Sequence, residues 1–343
     1  MRRIIFHVDV NSAFLSWEAV YRLRHLGGTL DLRTIPSAVG GDQEKRHGII
    51  LAKSIPAKKY KVQTGEPIVD ARAKCPQLML VPPNYELYQR SSKAMIRILS
   101  EYTDQIEKYS IDEAFLDMTG ICQEPKETAE KLKEQIFREL GFTVNVGISS
   151  NKLLAKMASD FEKPDRVHTL WSEEIPKKMW PLPVRDLFLV GGRSQKKLEA
   201  LGIFTIGQLA KAPEPVLYAA LKSHGLQIRK YANGIDESEV VTVPPPNKGY
   251  GNSLTTPADV TDPETARLYL LSLAETVSAR LRADGAMVRP AEVSLRDCHL
   301  KNYHHQRQLP APTDLTGEIY RTACQCFGEL WNGVPLRHLG IHT

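Results

Sequence analysis

Three carboxylates stand where a divalent-metal reaction would need them. Asp9 closes the apolar run Ile4-Ile-Phe-His-Val-Asp9, and Asp112-Glu113 lies inside Tyr109-Ser-Ile-Asp-Glu-Ala-Phe-Leu-Asp117. Each acid ends or interrupts a strand-like stretch, so two neighbouring strands would bring all three to one edge of a sheet. Like charges held that close repel strongly where the effective dielectric is low. A divalent cation removes the repulsion, and magnesium is typically held by a few carboxylates together with substrate phosphates. Two such ions, about 4 Å apart, can hold the attacking and leaving oxygens of an in-line displacement. The carboxylates alone also fit a plainer reading: a solvated acidic turn at Asp112-Glu113 and a strand-end cap at Asp9. The rest of the chain has to decide.

The elements that would position these acids follow from periodicity. A strand is expected over residues 3–9. A helix over 12–26 carries Ala13, Trp17, Val20 and Leu23 as its apolar stripe. Residues 27–65 are mixed, with a strand near 49–52 and a helix starting near Ser54, where Ser54 can cap and Pro56 sits in the first turn. A helix over 85–102 leads to two strand-like runs, 105–110 and 114–118, separated by the acidic step. A Glu/Lys-rich helix over 126–140, an alternating strand over 143–149 and a helix over 151–161 complete the series. Strand, helix, hairpin, helix, strand is the split βαβ, ferredoxin-like order. The first domain is therefore expected to span 1–11 and 72–170, with 12–71 inserted after its first strand. Residues 171–237 form a helical unit. Residues 238–249, with Pro244-Pro245-Pro246, form an extended linker. Residues 250–343 mix helix (264–283, 315–327) and strand (292–300, 306–309). The expected fold class is multidomain α+β, as the length of 343 residues suits.

Composition removes several function classes. No apolar run approaches a membrane span or a signal-peptide core, so a cytoplasmic protein is expected. The five cysteines are scattered and form no CxxC pair, and His299, His304 and His305 have no zinc-ligand spacing beside Cys298, so neither a disulfide framework nor a zinc site is expected. The net charge of +5 is modest, but residues 151–235 hold 14 Lys and Arg against 8 Asp and Glu. That excess suits a segment lying on phosphates. Residues 250–343 hold 9 against 10, so binding of nucleic acid there would rest on local placement.

His7-Val-Asp-Val-Asn-Ser-Ala-Phe14, Ser110-Ile-Asp-Glu-Ala114, and Gly147-Ile-Ser-Ser-Asn-Lys-Leu-Leu-Ala-Lys156 followed by Lys163-Pro164 occur in that order. With Gly251-Asn-Ser, Thr256-Pro-Ala-Asp-Val-Thr-Asp262 and Arg307-Gln-Leu-Pro-Ala-Pro-Thr-Asp314, they resemble the Y-family (translesion) DNA polymerases, close to the DNA polymerase IV branch, over essentially the whole chain. The resemblance implies a ferredoxin-like palm, small fingers (12–71), a helical thumb containing a helix–hairpin–helix, and an α/β little finger (250–343). It implies template-directed, low-fidelity addition of deoxynucleotides to a primer 3′-hydroxyl, with tolerance of damaged templates. Asp9, Asp112, Glu113 and the backbone carbonyl of Val10 would hold two magnesium ions. Val10, Asn11, Ser12, Ala13, Phe14, Ile55, Lys58 and Lys163 would surround the incoming nucleotide, with Phe14 as the steric gate against a ribose 2′-hydroxyl and Lys163 reaching the triphosphate. Ser110 would lie beside the primer end. Lys152, four residues from Lys156 on one helix face, would meet DNA phosphate, as would Gly191, Arg193 and Ser194 in the thumb hairpin.

Three departures accompany the resemblance. The family's small polar residue, Tyr and Arg at the triphosphate correspond to Ala52, Ile55 and Lys58, and Lys is a point charge without the bidentate geometry of Arg. A hairpin glycine corresponds to Leu189. The family commonly continues into a Gln/Leu/Phe peptide that docks on the sliding clamp; no such peptide is visible before Thr343, so a clamp partner is left open and a catalytic core, acting as a monomer, is expected. Two other classes remain: a non-catalytic DNA-binding protein that keeps the fold, and a nucleotidyl cyclase, which has no use for a duplex grip.

Overall fold

The computed structural model describes residues 2–41 and 48–343. The chain divides into two compact units: Met1–Val39, Ile50–Glu66 and Asp70–Pro244 form the first, and Gly40–Ile49, Pro67–Val69 and Pro245–Thr343 the second. The elements in chain order begin with β1 (Ile5–Val10), α1 (Ala13–His25), β2 (Ser37–Gly40), β3 (Ile50–Lys53), α2 (Ile55–Lys59), α3 (Ile68–Lys74), β4 (Met79–Val81) and α4 (Tyr85–Leu99). They continue with β5 (Ile106–Lys108), β6 (Glu113–Asp117), α5 (Pro125–Leu140), β7 (Val144–Ser149), α6 (Lys152–Ser159) and β8 (Val167–Thr169).

The first unit is built on a five-stranded sheet in the order β5-β6-β1-β7-β8. Its centre, β1, is buried along its whole length, because helices cover both faces. The period of two then sorts the side chains. Phe6, Val8 and Val10 point into the main core with Leu15, Trp17, Tyr88, Met95, Leu99 and Leu132 of α1, α4 and α5. Ile5, His7 and Asp9 take the other face, under α6. Strand β6 pairs antiparallel with β1, with Ile5 opposite Asp117, His7 opposite Phe115 and Asp9 opposite Glu113. The alternation therefore places Asp9 and Glu113 side by side on the face that α6 covers.

Helix α6 lies directly on β7. A Cβ built at Gly147 would stand 1.9 Å from the Ala155 carbonyl oxygen and 2.4 Å from the Ser159 amide nitrogen. Only glycine allows that approach. Gly147→Ala is expected to cost about 3 kcal/mol or more, since both obstacles are backbone and overpacking of this kind forces the helix off the sheet. Equilibrium urea unfolding checks it; a change within about 0.5 kcal/mol would show that α6 can shift freely.

Strand β8, parallel to β7, was not expected from the sequence: its three residues are too short to show a period. Strands β2 and β4 and helix α3 were not read from the sequence either; the other elements from β1 to α6 match expectation within a few residues. Ser54 caps α2 as its position suggested, accepting from the Ala57 amide at 3.1 Å and donating to the Ile35 carbonyl at 2.7 Å. Helices α7 (Ile175–Lys178), α8 (Gly192–Ala200), α9 (Ile206–Lys211), α10 (Glu214–Leu221) and α11 (Ser223–Ala232) close a separate apolar cluster around Leu198, Ile206, Leu209, Leu217 and Ile228. Ahead of α8, Leu189 takes φ +69°, the left-handed region that favours glycine.

In the second unit, β9 (Gly251–Val260), β10 (Val288–Asp297), β11 (Asn302–Thr313) and β12 (Leu336–His342) form an antiparallel sheet in the order β11-β10-β12-β9. Helices α12 (Pro263–Ala283) and α13 (Thr316–Leu330) pack on one face, where Leu270, Leu273, Val277 and Phe327 meet Val293, Leu295, Leu339 and Ile341. Strands β9 and β12 were not read from the sequence, and β10 and β11 are displaced or longer than expected. Among the described residues, helices cover one face of this sheet, and the strands carry polar residues toward the other. No described helix is long and apolar enough to cross a membrane.

Candidate active site

The acids meet through backbone pairing first. Asp9 and Glu113 are cross-strand partners, and the Val10 amide donates to the Asp112 carbonyl at 3.0 Å. Ser110 organises the turn between β5 and β6. Its hydroxyl donates to Asp112 Oδ1 at 2.6 Å and accepts from the amides of Asp112 and Glu113 at 3.2 and 3.1 Å. Ser110 thus aims the Asp112 carboxylate.

Each acid is held by its own neighbour. Asp9, 6% exposed, pairs with Lys163 Nζ, which also reaches Asp160 Oδ1 at 2.7 Å. Burial pushes the Asp9 carboxyl up to about 6, with the Lys163 charge opposing it. Lys163 is less buried and faces two carboxylates, so the same pair holds its ammonium above the ordinary value even though burial acts against it. At Asp9 burial outweighs the lysine, so its charged form is undercompensated. Burial also pushes Glu113 up, but His7 and Lys156 outweigh it and hold the carboxyl at about 2. Lys156 Nζ is hydrogen-bonded to Oε1 at 2.8 Å, whereas His7 Nε2 stays 3.8 Å from Oε2 and has no hydrogen-bond partner. Burial keeps the imidazole below its ordinary pKa, so Lys156 supplies the charge.

Among the described residues, no three acidic, imidazole or thiol groups stand close enough to hold one ion together. The sequence led us to expect converging carboxylates; the backbones converge, but Lys163, Lys156 and Ser110 turn the three side chains onto separate partners. The donor set still fits a hard divalent cation. It offers carboxylate oxygens and a carbonyl only, and one of its members, Asp9, is buried with its charge undercompensated.

That undercompensation sets a pH dependence. The Asp9 pKa in the fold lies above its ordinary 3.8, so its charged form costs stability; the cost grows between about pH 4 and pH 6 and is full above. Glu113 lies below its ordinary 4.5, so its contribution is present above that value and is lost as pH falls toward about 2. A cation needs Asp9 ionised. Affinity for Mn2+ followed by electron paramagnetic resonance is therefore expected to drop about tenfold from about pH 7.5 to about pH 5. Equal affinity at both would contradict the Asp9 assignment.

Asp9, Val10, Asn11, Ser12, Ala13, Phe14, Ile55, Lys58, Asp112, Glu113 and Lys163 all border one cleft of about 840 Å³. The corner at 11–14 is fixed from behind. Asn11 donates to Asn145 Oδ1 at 3.0 Å and accepts from the Asp165 amide at 2.9 Å, so its side chain holds the corner in place rather than facing the cleft freely. Ser12 takes φ +49°, turning the chain sharply into α1. Phe14 then stacks on Tyr88 at 4.3 Å, with Trp17 and the edge of Tyr85 near 6 Å.

The DNA-facing residues expected from the sequence are outside this cleft. Lys152 is engaged within the fold: its ammonium meets both Glu107 oxygens at 2.8 and 2.7 Å and the Glu239 carbonyl at 3.2 Å, with the side chain 12% exposed. Lys156 is committed to Glu113. In the thumb hairpin, Gly191 and Arg193 are exposed, and the Ser194 hydroxyl meets His224 Nε2 at 3.2 Å. Sequence reasoning missed Arg33, Lys53 and Thr64 in the cleft wall.

Residues 8–160 match the impB/mucB/samB family, residues 247–343 its C-terminal domain, and residues 172–203 the IMS family HHH motif. The chain is 46% identical to DNA polymerase IV of Clostridium acetobutylicum, over 99% of this chain and 86% of that protein. It is 39% identical to DNA polymerase IV of Acetivibrio thermocellus, over 100% and 86%, and 37% identical to DNA polymerase IV 1 of Bacillus subtilis, over 99% and 81%. A solved Y-family DNA polymerase chimera of Dbh and Dpo4 shares its fold, with TM-score 0.84 and 22% identity over 99% of this chain and 98% of the other.

Proposed function

This chain belongs to the impB/mucB/samB family of Y-family DNA polymerases, and on that footing we propose that it is a template-directed DNA polymerase that extends primers past damaged template bases. The observation that carries the reading is the single cleft in which the cross-strand pair Asp9 and Glu113, the neighbouring Asp112, the ring of Phe14 and the lysines of α2 and the β8 approach face one volume.

The family is metal-dependent, and we assign the ions as two Mg2+. Asp9, Asp112, Glu113 and the Val10 carbonyl would hold them. When bound, they would lower the cost of charge on the attacking and leaving oxygens. The protein's part is placement. Ser110 orients Asp112. Lys156 and Lys163 pair with Glu113 and Asp9, and Lys163, which borders the cleft, would reach the triphosphate. Lys58 faces the same volume. Ser12 and Ala13 carry the chain past the nucleotide, and Ile55 gives it an apolar wall. Phe14 fills the space a 2′-hydroxyl would need. Gly191, Arg193 and Ser194 bind backbone phosphate of the primer–template. The non-catalytic reading rested on Ala52, Ile55 and Lys58, and the relatives, each a DNA polymerase IV, give it no support.

Extension of a primer on a template carrying one abasic site, with Mg2+ and all four deoxynucleoside triphosphates, tests the reading. Products longer than the lesion position support it. Full extension of undamaged template with a complete stop at the lesion would leave a polymerase but remove the bypass role.

A further inference from the structure

The segment that departs from its family is also where the cleft keeps unused positive charge. Ala52 and Ile55 offer the cleft no polar side-chain atom, yet the substrate brings a polyanion. Among the described residues, four cationic side chains border the cleft: Arg33, Lys53, Lys58 and Lys163. Two are committed. Arg33 binds Asp31 through Nε and Nη2 and donates to the Gly141 carbonyl at 2.8 Å. Lys163 holds Asp9 and Asp160. The other two have no carboxylate within ion-pair distance among the described residues. Lys53 Nζ touches only the Thr64 hydroxyl, at 3.3 Å. Partial burial, and then the Lys58 charge beside it, hold the Lys53 ammonium below its ordinary pKa. Glu66, whose charge acts on it, is itself paired with Lys74. Two like charges set close without a counter-ion cost free energy, and an anion between them would recover it.

We propose that Lys53, steadied by Thr64 and assisted by Lys58, binds the terminal phosphates of the incoming nucleoside triphosphate in this chain. The inference rests on the polymerase reading above and adds a residue that the family's usual grip does not include. The hydroxyl lost at Ala52 is supplied from Thr64, and the guanidinium lost at Lys58 is answered by a second ammonium from β3. Recognition by two point charges carries no bidentate geometry, so it reads phosphate charge and leaves the base and sugar to the rest of the cleft.

Steady-state insertion of dATP opposite template thymine separates this role from a structural one. Lys53→Met keeps the apolar stem and removes the charge; it is expected to raise KM for dATP about tenfold or more, with kcat within about twofold because no reacting atom is touched. Lys53→Arg should restore most of the affinity. Lys59→Ala, on the same helix as Lys58 but outside the cleft wall, should change neither constant. As a readout free of turnover, inorganic tripolyphosphate should raise the melting temperature of the wild type and not of Lys53→Met. Unchanged KM and equal tripolyphosphate stabilisation in Lys53→Met, with wild type active, would overturn the assignment while leaving the polymerase reading intact. A folded wild type that inserts no nucleotide would overturn both.

Discussion

Asp112→Ala is expected to lower the rate of nucleotide insertion by about a thousandfold or more while the protein stays folded and still binds primer–template. The expectation follows from how the turn is built. Asp112 contributes to the fold through its backbone, whose carbonyl accepts from the Val10 amide at 3.0 Å. Its side chain has one described partner, the Ser110 hydroxyl, and that hydroxyl keeps the Glu113 amide when the carboxylate is gone. Removing the carboxylate therefore deletes a ligand without opening a core. The melting curve should move by less than about 1 kcal/mol in stability, and fluorescence anisotropy on labelled primer–template should change little. A variant that inserts nucleotides at near the wild-type rate would place the chemistry elsewhere. A variant that unfolds would mean the carboxylate is structural.

Phe14→Ala should raise insertion of ribonucleotides relative to deoxynucleotides by about a hundredfold, because a steric gate discriminates by excluded volume and the alanine leaves that volume open. The gate works only if the ring cannot swing aside. Here it is stacked on Tyr88 at an interplanar angle of 11°, and Tyr88 is itself fully buried and donates to Glu18 at 3.0 Å. The aromatic wall of α1 and α4 is thus fixed by packing and one buried hydrogen bond. Loss of the ring should also cost about 2–3 kcal/mol, as the site is only partly buried. Competition between ATP and dATP opposite template thymine gives the ratio directly. An unchanged ratio in a folded variant would remove the gate assignment from Phe14.

The centre of this site was legible because its signals are local. Asp9 ends an apolar strand and Asp112-Glu113 interrupts a hairpin, and the period of two then dictates that cross-strand partners share a face. Ser54 followed by Pro56 announced the start of α2 in the same way. What could not be read depends on partners distant in sequence. The pairing of Lys152 with Glu107, 45 residues earlier on β5, is one such contact. The separation of the three carboxylates is set by Lys156 and Lys163 arriving from α6 and the segment after it. Strand β8 is too short to show a pattern, and β9 and β12 sit in a one-faced sheet where polar residues fill the open side. Lys53 could not be read because its place in the cleft wall depends on how β3 and the Thr64 segment fold together.

Asp9, Asp112 and Glu113 are proposed to serve templated nucleotide addition. The direct test is single-nucleotide addition to a primer, with Mg2+, against each of the four template bases in turn, for the wild type and Asp112→Ala side by side. The predicted result is preferential addition of the complement opposite every base by the wild type, and no addition by the variant bound to the same DNA. Addition that ignores the template, addition that survives in Asp112→Ala, or none from a folded wild type that binds the DNA would contradict it.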